Sequence, residues 1–152
     1  MANPLKIHVV VDISDAHSGV IDRQMVEQLG THTKLLQRMG KIIFTSSVAA
    51  GITPENEHAA IQGADLVVMA TSKSFLATSR FKEALEVAKG KLIAPYLCQS
   101  VNLAGTGVEN FEPLTGRGPA LAEFSAEKRE ELLANVSRRL DAMATASTGL
   151  RR

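Results

Sequence analysis

Cysteine, tryptophan and long apolar runs are nearly or wholly missing from this chain, and each gap closes off a class of protein. The single cysteine, Cys98, rules out an intrachain disulfide and a cysteine-rich zinc site. With no tryptophan and one tyrosine, few rings are left on which nucleic-acid bases could stack. An excess of one charge is missing too. The 17 Lys and Arg against 16 Asp and Glu leave a formal net charge of +1, without the basic stripe of a nucleic-acid binder. The densest charged run, Glu127 to Glu131, mixes both signs, and Arg151 and Arg152 read as a frayed end. No apolar run approaches the roughly 20 residues of a membrane-crossing helix. Met1 to Lys6 carries no apolar signal core, so the expected compartment is the cytoplasm.

What is present is a globular composition without repeats. The 152 residues, 45% hydrophobic and 22% charged, suffice for one domain with a core and exclude disorder as the main state. The expected layout is a single domain over 1–144 and a flexible tail over 145–152.

Strand and helix patterns alternate. Leu5 to Ile13 is β-branched and mostly apolar, as a buried strand is. Gly19 to Met39 has a helical stripe through Ile21, Met25, Leu29, Leu36 and Met39, weakened at Gly30 and stopped at Gly40. Lys41 to Thr45 is a second strand, followed by a loop with Gly51. Thr53 and Pro54 open a helix as cap and first residue, with Glu55 and Glu57 in its first turns. Asp65 to Thr71 is a third strand. Ser79 to Lys89 is a helix with Phe81, Ala84, Leu85 and Ala88 on one face. Lys91 to Leu97 is a fourth strand, where Pro95 forbids one ladder bond. Gln99 to Leu121 is irregular, and Ser125 caps a last helix that buries Leu132, Leu133, Val136, Leu140 and Met143.

This alternation predicts a parallel sheet with helices on both faces. Ligands of such sheets lie at the carboxyl ends of the strands, near the switch in strand order. That directs attention to Asp12–Ser14, Ser46–Gly51 and Thr71–Phe75. Short motifs add little. No G-x-G-x-x-G follows the first strand, and Gly105-x-Gly107 reads as a loop. His8, His17, His32 and His58 never fall at metal-ligand spacing, so no metal site is expected; His8 lies in a strand and the others read as surface positions. Asp12 and Asp15 could hold magnesium in a receiver-like fold, but the third strand ends in Thr71 and Ser72 instead of a phosphoacceptor aspartate. Cys98 reads as a buried, inert thiol.

The most informative stretch is Ala64 to Leu76, A-D-L-V-V-M-A-T-S-K-S-F-L. It resembles the third strand of the Toll/interleukin-1 receptor (TIR) domain family, which reads A-D, an apolar run, then S-x-x-F-L-x-S. Ser72, Phe75 and Leu76 match without a gap, and Thr78 stands at the second serine. Asp12-Ile13-Ser14 resembles the family's S-aromatic-S after the first strand. Gly40-Lys41-Ile42 resembles its entry to the second strand, and Gly51 lies in the loop that is mobile in the family. Ile93 to Leu97 resembles the I-P-apolar fourth strand, and Leu114 to Pro119 the late L-P-x-x-G-x-P segment. The resemblance covers about residues 5 to 142. It implies a flavodoxin-like fold with five parallel strands in order 2-1-3-4-5.

It also implies where chemistry would lie. Bacterial and plant members often cleave NAD+ with a glutamate in the pattern F-L-x-S-x-W-C-x-x-E-L. Laid without gaps from Phe75, that pattern puts Arg80 at the tryptophan, Phe81 at the cysteine and Ala84 at the glutamate. Glu83 points roughly 200° around the helix from Phe81. A carboxylate beside the ribose stabilises the oxocarbenium character of this cleavage, which alanine cannot do. The leading expectation is therefore a TIR-like signalling or assembly module of a cytoplasmic, prokaryotic defence-type system. It would form homo-oligomers, make homotypic or heterotypic TIR contacts, or hold a nucleotide-type ligand. No cofactor, metal, nucleic acid or membrane is expected, and NAD+ enters only as substrate or ligand. One rival is an active NAD+ glycohydrolase with Glu83 as catalytic residue. A weaker rival is a nucleoside-processing enzyme of related fold. In each case Asp12, Ser14, Gly51, Ser72 and Phe75 are the candidate ligand-binding residues.

Overall fold

The computed structural model describes residues 4–13, 17–48, 53–116 and 118–150. Ser14, Asp15, Gly51, Arg117 and the Arg151-Arg152 pair lie outside them. In chain order the elements are β1 (Leu5–Val10), α1 (His17–His32), α2 (Lys34–Arg38), β2 (Ile42–Ser46), α3 (Pro54–Gly63), β3 (Leu66–Thr71), α4 (Lys73–Leu76), α5 (Ser79–Val87), β4 (Leu92–Leu97) and α6 (Ala126–Leu150), with a 3-10 turn at Leu121–Glu123. The four strands form one parallel sheet in the order β2-β1-β3-β4. No described helix is long and apolar enough to cross a membrane.

The sheet separates two cores. On one face Ile7, Val9 and Val68 pack under Met25 and Leu29 of α1 and under Leu133, Val136 and Leu140 of α6. On the other, Val10, Val67 and Met69 pack under Ile61 of α3 and under Phe81, Ala84 and Ala88 of α5. Every residue of β3 is buried, which is why it reads as a continuous apolar run.

The helix signals work as their chemistry requires. Thr53 Oγ1 accepts from the Asn56 N–H at 3.1 Å, with Pro54 at the first helical position. Ser125 Oγ accepts from the Lys128 N–H at 3.2 Å. Gly40 takes φ 72° beyond α2, a backbone region that disfavours side chains. The helix expected over 19–39 is divided at Thr33, not at Gly30. The buried Thr33 hydroxyl donates back to the Leu29 carbonyl at 3.0 Å, and its own backbone leaves the helical region at φ −99°, ψ 4°. The last helix runs to Leu150, past the point where the sequence suggests that the domain ends.

One expectation is corrected. The fifth strand of the order 2-1-3-4-5 is not found among the described residues; the sheet has four. Pro95 supplies a physical reason. It lies in β4, whose only strand neighbour among the described residues is β3, and its carbonyl accepts from the Leu114 N–H at 2.7 Å. Having no N–H, Pro95 can return no ladder bond on that side. The segment that follows, with Gly105, Gly107 and Gly116 at positive φ, turns repeatedly instead of extending.

Candidate functional site

Beyond the carboxyl end of β1, on the α3/α5 face, lies a cleft of about 130 Å3. Ile13, Pro54 and Ala84 wall it, and Thr53, Glu57, His58, Arg80 and Glu83 supply its polar side chains. Pro54, Glu57 and His58 come from the first turns of α3, and Arg80, Glu83 and Ala84 from α5. The two helices pack on each other, which brings these turns together.

The centre of the cleft is Glu57, 6% exposed. One carboxylate oxygen, Oε2, accepts from His8 Nε2 at 2.9 Å and from Ser47 Oγ at 2.7 Å. The other, Oε1, accepts from the Arg80 guanidinium. Burial alone would push this carboxyl group up. Hydrogen bonds from His8, Ser47 and Arg80, with the charge of Arg80, outweigh it and hold the group at about 2. Each donor is itself tied down. His8, 1% exposed, has Nδ1 at 2.8 Å from Thr45 Oγ1. Arg80 Nη1 donates to the Val11 carbonyl at 2.7 Å, and its guanidinium lies 5.6 Å from the centre of the Phe75 ring. Glu57 is therefore an ionised acceptor with donors on both oxygens, fit to fix β1, the end of β2, α3 and α5 around the cleft.

On the opposite face a second buried carboxylate stands at the carboxyl ends of β1, β3 and β4. Asp22 of α1 is fully buried; its Oδ1 accepts from Gln99 Nε2 at 2.8 Å, while Oδ2 has no hydrogen-bond partner among the described residues. Burial raises this carboxyl group, and the nearby Asp12 raises it further, against the pull of Ser72, Gln99 and Arg23.

The sequence-derived residues divide between these places. Glu83 is exposed and edges the cleft, while Ala84 faces inward with Phe81 and Ala88. Asp12 and Ser72 follow β1 and β3, the two strands at the switch in order, and both are buried. Ser72 Oγ accepts from the Phe75 N–H at 3.4 Å as the cap of α4. Phe75 is 1% exposed and packs edge-on against Phe81, with ring centres 5.7 Å apart. Ser14 and Gly51 lie outside the described residues. Cys98 is buried, and burial pushes its thiol up, so little of the reactive thiolate forms. Among the described residues no group of three or more His, Cys, Asp or Glu side chains could hold a metal ion.

Sequence reasoning missed Glu57, treated as a helix-dipole residue, and Asp22, not singled out at all. One signal for Glu57 was available. His8 sits within an apolar strand, and a buried ring with two polar nitrogens needs partners. No protein-family model matches this chain, and no curated protein sequence matches it.

Proposed function

We propose that this chain is a TIR-like module of a cytoplasmic, prokaryotic defence-type system. It acts by associating with TIR-type partners or by holding a nucleotide-type ligand, without cleaving NAD+. The observation that supports this reading is the state of the carboxylates at the cleft. Glu57, the buried one, already accepts hydrogen bonds from three side chains. A group so engaged is not free to face a developing oxocarbenium ion. Ala84, in the position that the gapless family register gives to the glutamate, has no carboxylate to offer. A cleft of about 130 Å3 also falls below the roughly 300–1,000 Å3 of pockets that enclose drug-sized ligands. It has room for one ring of a dinucleotide.

A second reading, NAD+ glycohydrolysis by Glu83, is favoured by one fact: this side chain edges the same cleft as Arg80. Purified protein incubated with NAD+ over a wide range of protein concentration separates the two. The module reading expects no loss of NAD+ at any concentration. Turnover that rises with concentration and disappears in Glu83→Ala would replace it with the enzyme.

A further inference from the structure

The two edges of the sheet are treated differently. β4 carries Pro95 on its outer side, and Leu114 already bonds there. Among the described strands β2 pairs only with β1, and it contains neither proline nor charge: Ile42, Ile43, Phe44, Thr45, Ser46. An edge of this kind is a template for another strand.

The ladder shows which groups are free to pair. The Lys41 carbonyl accepts from the Leu5 N–H at 2.9 Å, and the Ser47 N–H donates to the Val9 carbonyl at 3.1 Å. Odd-numbered residues of β2 therefore turn their peptide groups toward β1. By alternation, Ile42, Phe44 and Ser46 turn theirs outward. These three positions are symmetric about Phe44. We infer that β2 joins β2 of a second copy, antiparallel about a two-fold axis at Phe44, to make one continuous sheet. The inference rests on the homotypic-association reading above and names its surface. In that register Phe44 faces Phe44 of the second copy, and Ile42 faces Ser46. All are hydrogen-bonded pairs, which exchange both N–H and C=O.

The surroundings of Phe44 fit the same axis. A groove of about 600 Å3 runs between α1–α2 and β2, with Phe44 and Gly30 in its lining. Gly30 lies over the ring; a Cβ there would stand 3.5 Å from Phe44 Cε1. Glu27 precedes Gly30 by about one turn of α1 and Lys34, four residues after Gly30, opens α2, and both line the groove and are exposed. Rotation about Phe44 brings Glu27 of one copy level with Lys34 of the other, twice. The charges complement each other across the axis, as an isologous interface requires. On the other face Ile43 is 44% exposed and comes opposite Thr45 of the second copy.

Sedimentation velocity from micromolar to millimolar protein, with amide hydrogen exchange at both ends of that range, tests this. The wild type is expected to pass from monomer to dimer. Protection at high concentration should appear at Ile42, Phe44 and Ser46 and leave Ile43 and Thr45 unchanged. Ser46→Pro removes an outward N–H without touching the bonds to β1, and should weaken the dimer by about tenfold or more. Glu27→Lys and Lys34→Glu should each weaken it, because each homodimer then sets like charges opposite each other twice, and an equimolar mixture of the two single variants should recover mixed dimer, which restores both charge pairs, above either alone. A wild type that stays monomeric, or a Ser46→Pro dimer of unchanged affinity and a charge pair without recovery, overturns the inference. Association that survives all three variants leaves homotypic association standing through another surface. NAD+ turnover by the same sample would overturn the module reading and leave the edge pairing untouched.

Discussion

Glu57 and Asp22 are both buried carboxylates, on opposite faces of one sheet, and they are held in opposite ways. Glu57 has donors on both oxygens, and its carboxyl group falls to about 2. Asp22 is reached by the Gln99 amide and by the Ser72 hydroxyl, both neutral, while its Oδ2 has no hydrogen-bond partner among the described residues, and its carboxyl group rises. Burial acts on both in the same direction. The difference lies in the number of donors that reach each group, and a charge in low dielectric is tolerated only when donors replace the water. Around Glu57 they come from β1, from Ser47 just after β2, and from α5, so this residue ties separate elements together. Around Asp22 the site is only partly satisfied, which marks it as a place where stability is given up.

The sharpest way to break the contrast is to remove the cation from the better-held acid. Arg80→Ala should destabilise the protein by about 2–4 kcal/mol in urea unfolding, because a buried carboxylate then loses its guanidinium partner and keeps only Ser47 and His8. The lower part of that range applies if water enters, since Arg80 is 30% exposed. Glu57→Gln, which keeps the shape and loses the charge, should cost less. Equal losses from the two variants would mean that packing, and not charge, carries the effect.

Acid should act on Glu57 next. Its folded value is depressed from 4.5 to about 2, so its contribution is present above 4.5 and disappears as pH falls toward 2. The loss is of the order of 3 kcal/mol. Chemical-denaturation series at several pH values should show it, and Glu57→Gln should flatten that limb.

Asp22 predicts the reverse sign. A carboxyl group raised in the folded state adds stability below its unfolded value of 3.8, and that stability is lost as pH rises through the folded value. Asp22→Asn should therefore be neutral or stabilising at neutral pH, by up to about 1 kcal/mol. A large destabilisation would show that the ionised form is required. The smallest effect is expected from Ser72→Ala. It removes the cap of α4, at a cost of about 0.5–1 kcal/mol, and should move the Asp22 titration further up in carboxyl NMR.

The elements themselves were legible because their signals are local. Thr53-Pro54, Ser125 and Gly40 act through backbone geometry and bonds to near neighbours, and they fall where the pattern placed them. The parallel sheet was legible for a similar reason: β3 is apolar throughout because both of its faces are covered. Pro95 gave a local warning about the fourth strand. Its consequence, a sheet that stops there, depended on what the Gly-rich segment after β4 could form on that edge.

Composition, periodicity and capping chemistry thus determined the strands, the helices and their alternation, since each depends on residues a few places apart. The tertiary structure alone decided which polar side chains meet. His8, Ser47, Glu57 and Arg80 are spread over more than 70 residues of the chain, and only the stacking of α3 and α5 on the sheet brings them into one network. Whether a buried acid finds a cation and two further donors or only neutral groups is settled by that packing, because hydrogen bonds form over about 3 Å of space, whatever the separation in sequence.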